Sequence, residues 1–356
     1  MAFVPFEPII TRNVGVPDVW QIDVYIARGG YETLKKALRE YKPEQIVEMI
    51  DKASLRGRGG AGFPAGRKWN LLAKGADQYY LVCNADESEP GSCSNHELLN
   101  WDPHSLLEGV IISAYAIKAD KAFIYMRGEF WKPAGQRMEQ AIQDAYRKGF
   151  LGKNILGSGF NLDVYLFMGA GAYVCGEETA LLESIEGNRP MPRPRPPYFP
   201  AVMGLYMKPT AVNNVETLVN VVHIVKNGVD WYMSIGNPPR CPGSKVFSIS
   251  GYVKRPGNYE APLGVTLREL IFDYAGGIRD GHTFKAVTPG GTSTPLLTAQ
   301  HLDVRCDYDS LPQQAGTYLG STGMIVMDDT VCIPCAVYHM SKFYKHESCG
   351  KCTPCR

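Results

Sequence analysis

The sequence predicts an α/β protein built on a parallel sheet, then a smaller β-grasp unit, then a helical segment that ends in cysteines. Three observations predict this. Between Tyr79 and Ile185, three short apolar runs of strand length alternate with three segments of helical period. After about Asn237 the texture changes to closely spaced strands around one helix. The last residues crowd five of the ten cysteines together.

Composition allows this architecture and excludes others. With 356 residues there is room for two or three domains. Apolar residues at 45% and charged residues at 21% are ordinary for a folded globular chain. The net charge, 37 − 36 = +1, provides no field that would recruit nucleic acid or an anionic membrane. The longest apolar stretch, Leu106 to Ile117, is interrupted by Glu108 and stops at Lys118. A spanning helix needs about 20 apolar residues, so direct membrane insertion is not expected. The N-terminus lacks the basic and apolar regions of a signal peptide, which places the chain in a reducing cytoplasm. Disulfides are disfavoured there, and clustered cysteines then point to metal.

The elements follow in order. The first fifty residues read as an irregular leader and a helix that opens at Pro43 and carries Ile46, Val47, Met49 and Ile50. Tyr79–Cys83 is the first strand, Leu106–Ile117 a helix, Ala122–Met126 the second strand and Pro133–Lys148 a helix. Leu162–Phe167 is the third strand and Glu177–Ile185 the third helix. Each strand runs into a loop with glycine or acids: Asn84–Glu87, Arg127–Glu129 and Gly169–Gly171. Ligands of open α/β sheets bind at the carboxyl ends of strands, so these loops should converge. Pro190–Pro200 reads as an ordered arm, with a helix opening directly after it near Asn213 and Asn214. Beyond Asn237 we expect a strand at Val246–Ile249, a turn at Gly257-Asn258, and a capping box from Thr266 to Glu269 that starts a helix. Strands at Phe284–Val287 and Met324–Met327 follow, and the final thirty residues are helical up to the cysteines.

Five constellations carry chemistry. Cys349, Cys352 and Cys355 have CxxCxxC spacing, which lets three thiolates reach three irons of one cubane. The fourth ligand lies beyond residue 356, or Cys332 or Cys335 supplies it. Gly57, Gly59 and Gly62 satisfy GxGxxG, but a helix precedes them where a dinucleotide fingerprint requires a strand. What survives is a side-chain-free loop against which a flat or phosphorylated ligand can lie, with Phe63 and Lys68 close by. Gly169 to Thr179 is a strand, a glycine loop and a helix start at which Glu177 and Glu178 repel a phosphate. Those acids suit a ring system, ribose hydroxyls or a donor cation, or they simply offset the helix dipole. Asn84, Asp86, Glu87 and Glu89 form an acidic loop suited to a metal or a cofactor's polar rim. Asn213, Asn214 and Thr217 mark a helix start open to a phosphate, or a plain N-cap.

Taken together these motifs resemble the flavin- and NADH-binding subunit of respiratory complex I (the 51 kDa type, the F subunit of NADH-quinone oxidoreductase). The diaphorase subunits of NAD-linked hydrogenases and formate dehydrogenases are similar. The likeness runs from Asp51 to the end, through GRGGAGFP, NADESEPG, GAGAYVCGEETAL, KPTAVNNVETL and ESCGKCTPCR. It implies a Rossmann-like flavodomain, a β-grasp domain and a helical iron–sulfur domain. It implies that FMN is held by Gly57, Gly59, Lys68, Asn84, Asp86, Glu87, Tyr173, Gly176, Glu177, Glu178, Asn213, Asn214 and Thr217. NADH would stack near Gly60, Ala61, Phe63, Lys68, Glu89 and Phe199, with Tyr198 the alternative stacking ring. Glu89 and Glu178 would be catalytic, and Cys349, Cys352 and Cys355 would bind a [4Fe–4S] cluster.

The resemblance also implies hydride transfer from NADH to FMN, then single electrons to the cluster and on to quinone. The partners would be other subunits of the complex, including a [2Fe–2S] subunit, on the cytoplasmic side of the membrane. The alternative is a soluble hydrogenase or formate dehydrogenase diaphorase. The expected divisions are a leader with the glycine loop (1–70), the cofactor domain (71–236), the β-grasp domain (237–329) and the start of the iron–sulfur domain (330–356), cut short here. Two departures stand out. Arg195 occupies a position where the family pattern has lysine, and Cys332 and Cys335 have no assigned role.

Overall fold

A computed structural model describes residues 4–355. The leader is more helical than its sequence suggests: α1 (Ile22–Ala27) and α2 (Glu32–Glu40) precede α3 (Pro43–Lys52) and α4 (Ala65–Asn70). The reason is not local. The buried Glu108 carboxylate accepts the amides of Tyr31 (3.0 Å) and Leu34 (2.9 Å) and the Tyr25 hydroxyl (2.7 Å). An acid on a distant helix thus satisfies the orphan donors at the start of α2.

Four parallel strands form the first sheet: β1 (Tyr80–Ala85), β2 (Lys121–Met126), β3 (Asp163–Met168) and β4 (Thr210–Asn214), in the order β3-β2-β1-β4. β4 is a strand that the sequence pattern does not reveal. Its Thr-Ala-Val-Asn-Asn text reads as a helix start, and only pairing with β1 makes it extended. Between the strands lie α5 (Ser94–Trp101), α6 (Pro103–Ile117), α7 (Gln136–Arg147), α8 (Glu178–Ile185) and α9 (Pro200–Met203). α10 (Val215–Asn227) follows β4 and packs on α6. A Cβ at Gly109 would lie 2.2 Å from the Leu218 carbonyl oxygen, so glycine there sets how closely the two helices approach.

After α11 (Val229–Met233) a two-residue pair, β5 (Gly236–Asn237) with β6 (Cys241–Pro242), leads into the second sheet. That sheet is β7 (Ser244–Gly251), β8 (Gly257–Pro262), β9 (Phe284–Thr288), β10 (Leu297–Thr298) and β11 (Gly323–Asp328), in the order β10-β9-β11-β7-β8. β11 and β7 are parallel, and the other pairs are antiparallel. The predicted β-grasp pattern is present, with its own apolar core. Gly257-Asn258 opens β8 and is not a turn, because both residues pair with β7. The capping box forms as expected: Thr266 donates its amide to Glu269 (2.8 Å), and Glu269 donates its amide to the Thr266 hydroxyl (3.2 Å). α12 (Ser310–Ala315) precedes β11, and α13 (Ile333–Glu347) leads to the cysteines. Among the described residues no helix is long and apolar enough to cross a membrane.

Buried charges join the parts. Lys245, on β7, donates to Glu216 of α10 (2.9 Å) and to the carbonyl oxygen of Arg58 (2.9 Å), and the Lys245 and Glu216 side chains are fully buried. Glu260, on β8, accepts the amides of Ile9, Ile10 and Thr11 and so ties the leader to the second sheet.

Candidate cofactor cleft

The strand order places β4 on one side of β1 and β2 on the other. The carboxyl ends of β1 and β4 therefore flank a switch point, where open α/β sheets form a crevice. A cleft of about 720 Å³ lies there, joined to a second lobe of about 640 Å³. The two lobes share Gly59, Gly60, Ala61, Asn84, Gly176 and Asn214.

Every residue expected to contact a nucleotide lines one lobe or the other. Asp86, Glu87, Glu89, Tyr173 and Glu177 face the first, and Gly57, Phe63, Lys68, Glu178, Phe199, Asn213 and Thr217 the second. The shared glycines and asparagines form the floor between them. Of the other two loops expected to converge, Arg127–Glu129 and Gly169–Gly171 do not line the cleft, but the chain that continues from β3 does, through Tyr173, Gly176 and Glu177. Gly128 packs on the carbonyl of Gly169, and Arg127 pairs with Glu129 (2.8 Å) and reaches the Glu87 carbonyl (3.3 Å). They brace the acidic loop from behind.

The glycine loop is a closed turn. The amide of Gly57 donates to the carbonyl of Phe63 (2.9 Å). At Gly62, with φ +64°, a Cβ would lie 2.4 Å from the Tyr308 ring. What anchors the loop is absent from its motif. Arg58 turns inward, fully buried, and donates to the Tyr232 hydroxyl (2.8 Å) and the Pro242 carbonyl (3.1 Å). Its amide donates to the Thr217 hydroxyl (2.8 Å). No local spacing reveals this, because the partners lie on other elements.

The acids divide by environment. Burial pushes the Asp86 carboxyl up to about 6. Its Oδ2 accepts from Ser88 (2.9 Å), and its buried Oδ1 has no partner among the described residues. Glu87, also raised by burial, accepts the amides of Asn95 (3.1 Å) and His96 (2.9 Å) at the start of α5. Glu177 caps α8 by accepting the amides of Thr179 and Ala180 (both 2.9 Å), so the helix-dipole reading holds for this residue. Glu178 lies between Lys68 (2.7 Å) and Arg195 (2.9 Å), and Arg195 also reaches Glu177 (3.0 Å). Among the described residues Glu89 has only neutral donors: Tyr173 (2.5 Å), Ser293 (2.9 Å), Thr292 (3.1 Å) and Tyr344 (3.3 Å). The asparagines are engaged too. Asn213 accepts from the Trp69 indole (2.9 Å), and Asn214 caps α10 by accepting the Glu216 amide (3.0 Å).

Phe199 lines the second lobe and is half exposed, whereas Tyr198 is not among its lining residues. At the far wall Cys349 and Cys355 line the first lobe, and Cys352 is exposed beside them. The Glu347 carboxylate accepts the Tyr173 amide (3.0 Å), which fixes the end of α13 to the cleft. Cys332 and Cys335 sit at the opposite end of α13. Fourteen residues at a helical rise of ~1.5 Å put Cys335 roughly 20 Å from Cys349, so neither cysteine closes this set.

A switch-point cleft floored by glycines, lined by acids and aromatics and walled by clustered thiols defines a nucleotide-cofactor oxidoreductase with an iron–sulfur region. Comparison with known proteins agrees. Residues 50–223 match the Nuo51 FMN-binding domain, 245–316 the SLBB domain, and 335–356 the NADH-ubiquinone oxidoreductase-F iron–sulfur binding region. The NADH-quinone oxidoreductase F 2 subunit of Rhizobium meliloti (strain 1021) is 53% identical over 352 residues, 99% of this chain and 83% of that one. The F subunit of the Mycobacterium bovis (strain ATCC BAA-935 / AF2122/97) enzyme is 52% identical over 360 residues, 99% of this chain and 80% of that one. A chain of an NAD+-reducing [NiFe]-hydrogenase in its H2-reduced state superposes with a TM-score of 0.79 at 35% identity, covering 99% of this chain and 56% of that one. The chain belongs to the family of NADH-quinone oxidoreductase F subunits, the 51 kDa flavoprotein type. Its cofactors are FMN, NAD(H) and a [4Fe–4S] cluster.

Proposed function

We propose that this chain oxidises NADH in the switch-point cleft and passes the electrons, through its C-terminal thiolates and partner subunits, to quinone. The observation that carries the reading is the cleft itself, in which every residue expected to contact a nucleotide meets on one continuous wall. The residues suit the groups. The unpartnered Asp86 Oδ1 is an acceptor for a flavin's polar edge. Gly59 has no room to spare, since a Cβ there would press on that of Asn214 at 3.0 Å, so a planar ring can lie against bare backbone. Three thiols at CxxCxxC spacing are the donor set of a cubane.

Gly57, Gly59, Asn84, Asp86, Glu87, Tyr173, Gly176, Glu177, Asn213, Asn214 and Thr217 hold FMN in this reading. Gly60, Ala61, Phe63, Glu89 and Phe199 receive NADH, Lys68 serves both groups, and Glu178 belongs with the FMN set. Cys349, Cys352 and Cys355 hold the cluster. When bound, FMN and the cluster supply hydride acceptance and one-electron relay. The chain's task is position and electrostatics. Phe63 and Phe199, the rings exposed in the second lobe, offer faces for an adenine. Glu89, whose partners among the described residues are all neutral, favours a ribose 2′-hydroxyl and repels a 2′-phosphate. Glu178, neutralised by Lys68 and Arg195, orients these cations and does not act as a free acid.

A [2Fe–2S] subunit is the proposed electron partner, and the chain is peripheral on the cytoplasmic side of the membrane complex. We assign residues 1–70 to the leader and glycine loop, 71–236 to the cofactor domain, 237–329 to the β-grasp domain and 330–356 to the iron–sulfur domain. A hydrogenase or formate dehydrogenase diaphorase would use the same site, because partners decide the pathway. The higher identity with quinone-linked relatives favours the first reading.

The test is an anaerobic titration of the FMN-loaded chain with NADH and then NADPH, following flavin bleaching. Fast bleaching by NADH and slow bleaching by NADPH is expected. Failure to bind FMN, or an oxidised flavin after NADH, overturns the proposal.

A further inference from the structure

Cys332-Ile333-Pro334-Cys335 lies outside the cleft and has no part in NADH oxidation there. Cys332 is the N-cap of α13 and Cys335 stands in its first turn, with Pro334 between them. Both thiols are exposed. Cap and third position of a helix face each other, which is the geometry that lets a capping box close. A cation is held beside them: the Lys285 ammonium donates to the Val331 carbonyl (2.7 Å), one residue before Cys332. The fifteen-residue helix adds the positive end of its dipole.

The other cysteines outside the cluster motif differ. Cys83, Cys175, Cys241 and Cys306 are buried, and burial pushes each thiol up. Cys93 is exposed, but burial of its sulfur raises it as well. Cys332 goes the other way, held below the ordinary thiol range by the adjacent Cys335 thiol and by Lys285. Reactive cysteines sit in electropositive, accessible places next to a resolving thiol, and structural ones are buried.

We propose that Cys332 and Cys335 form a thiol–disulfide exchange site for low-molecular-weight disulfides, with Cys332 attacking and Cys335 resolving. The Cys332 thiolate attacks one sulfur of the disulfide and expels the other half as a thiolate. A mixed disulfide forms on Cys332. Cys335, losing its proton to solvent, attacks Cys332 Sγ and expels the second half. The chain gains one disulfide, and the small molecule is reduced to two thiols.

The test uses the cofactor-loaded protein, equilibrated with oxidised glutathione in excess over reduced, then alkylated and mapped by peptide mass. The expected result is a peptide carrying Cys332 and Cys335 that has lost two hydrogens and escapes alkylation, while the Cys93 peptide is alkylated. Cys335→Ser should stop at a glutathione adduct on Cys332, and Cys332→Ser should leave Cys335 without an adduct. Full alkylation of both wild-type thiols, or an adduct-free Cys335→Ser chain, overturns the proposal. Protection without loss of hydrogen, released by a chelator, overturns it in favour of a metal.

Discussion

Replacing Lys245 with methionine removes the cation that faces Glu216. The two side chains are 2.9 Å apart and fully buried, at the junction of β7, α10 and the glycine loop. In the variant the Glu216 carboxylate keeps the Val246 amide (3.0 Å) but loses its ammonium, and the Arg58 carbonyl loses the Lys245 donor. Breaking a buried pair from one side costs about 3–5 kcal/mol, since the surviving charge stays desolvated. At about 4 kcal/mol the folding constant falls roughly a thousandfold. Urea unfolding of the flavin-free chain reads this without screening charges, and Lys52→Met, whose partner Glu48 is exposed, is the surface control. The double variant Lys245→Met, Glu216→Leu should recover most of the loss, because no unpaired charge remains. Flavin retention should fall with the single variant, because Lys245 holds the backbone of Arg58 between Gly57 and Gly59. If Lys245→Met unfolds within about 1 kcal/mol of wild type, or if the double variant is worse than the single one, the reasoning fails.

Asp86 makes the flavin-free chain pH-sensitive. Its carboxyl ionises near 6 when folded and about 2 units lower when unfolded, so the folded state binds the extra proton in between. Stability should fall by up to about 2–3 kcal/mol as pH rises from about 4 through 6. In Asp86→Asn that part of the slope should vanish in thermal melts, together with much of the FMN affinity. Gly62→Ala puts a methyl on the Tyr308 ring at φ +64°, and a loss of about 1–3 kcal/mol with weakened FMN binding is expected by calorimetry and flavin fluorescence. Glu89→Gln removes a cleft charge whose described partners are all neutral, and the NADPH-to-NADH ratio of kcat/KM should rise about tenfold in steady-state assays. An unchanged ratio would show that the selectivity lies elsewhere.

By itself the sequence determined the architecture wherever the signal was periodic or local. Three parallel strands, the helices between them, the Thr266 capping box and the β-grasp alternation all rest on spacing within a short window. The motifs were legible for the same reason, since a glycine loop or a CxxCxxC run needs particular residue types at fixed separation. Tertiary structure decided the rest. β4 became a strand because β1 offered it a partner, and its pairing created the switch point where the cleft lies. α2 exists where the sequence suggested irregular chain because Glu108, 74 residues from Leu34, completes its first turn. Arg58 and Lys245 bind the glycine loop through partners on other elements, and no spacing in the chain records that. Environment also sorted residues that look alike on paper. Six carboxylates line one cleft, yet among the described residues one has an unpartnered oxygen, two cap helices, one lies between two cations, one accepts the Tyr173 amide and one has only neutral donors. Residue type sets what a side chain is able to do. Burial and partners set what it does, and both are properties of chain segments brought together from far apart in sequence.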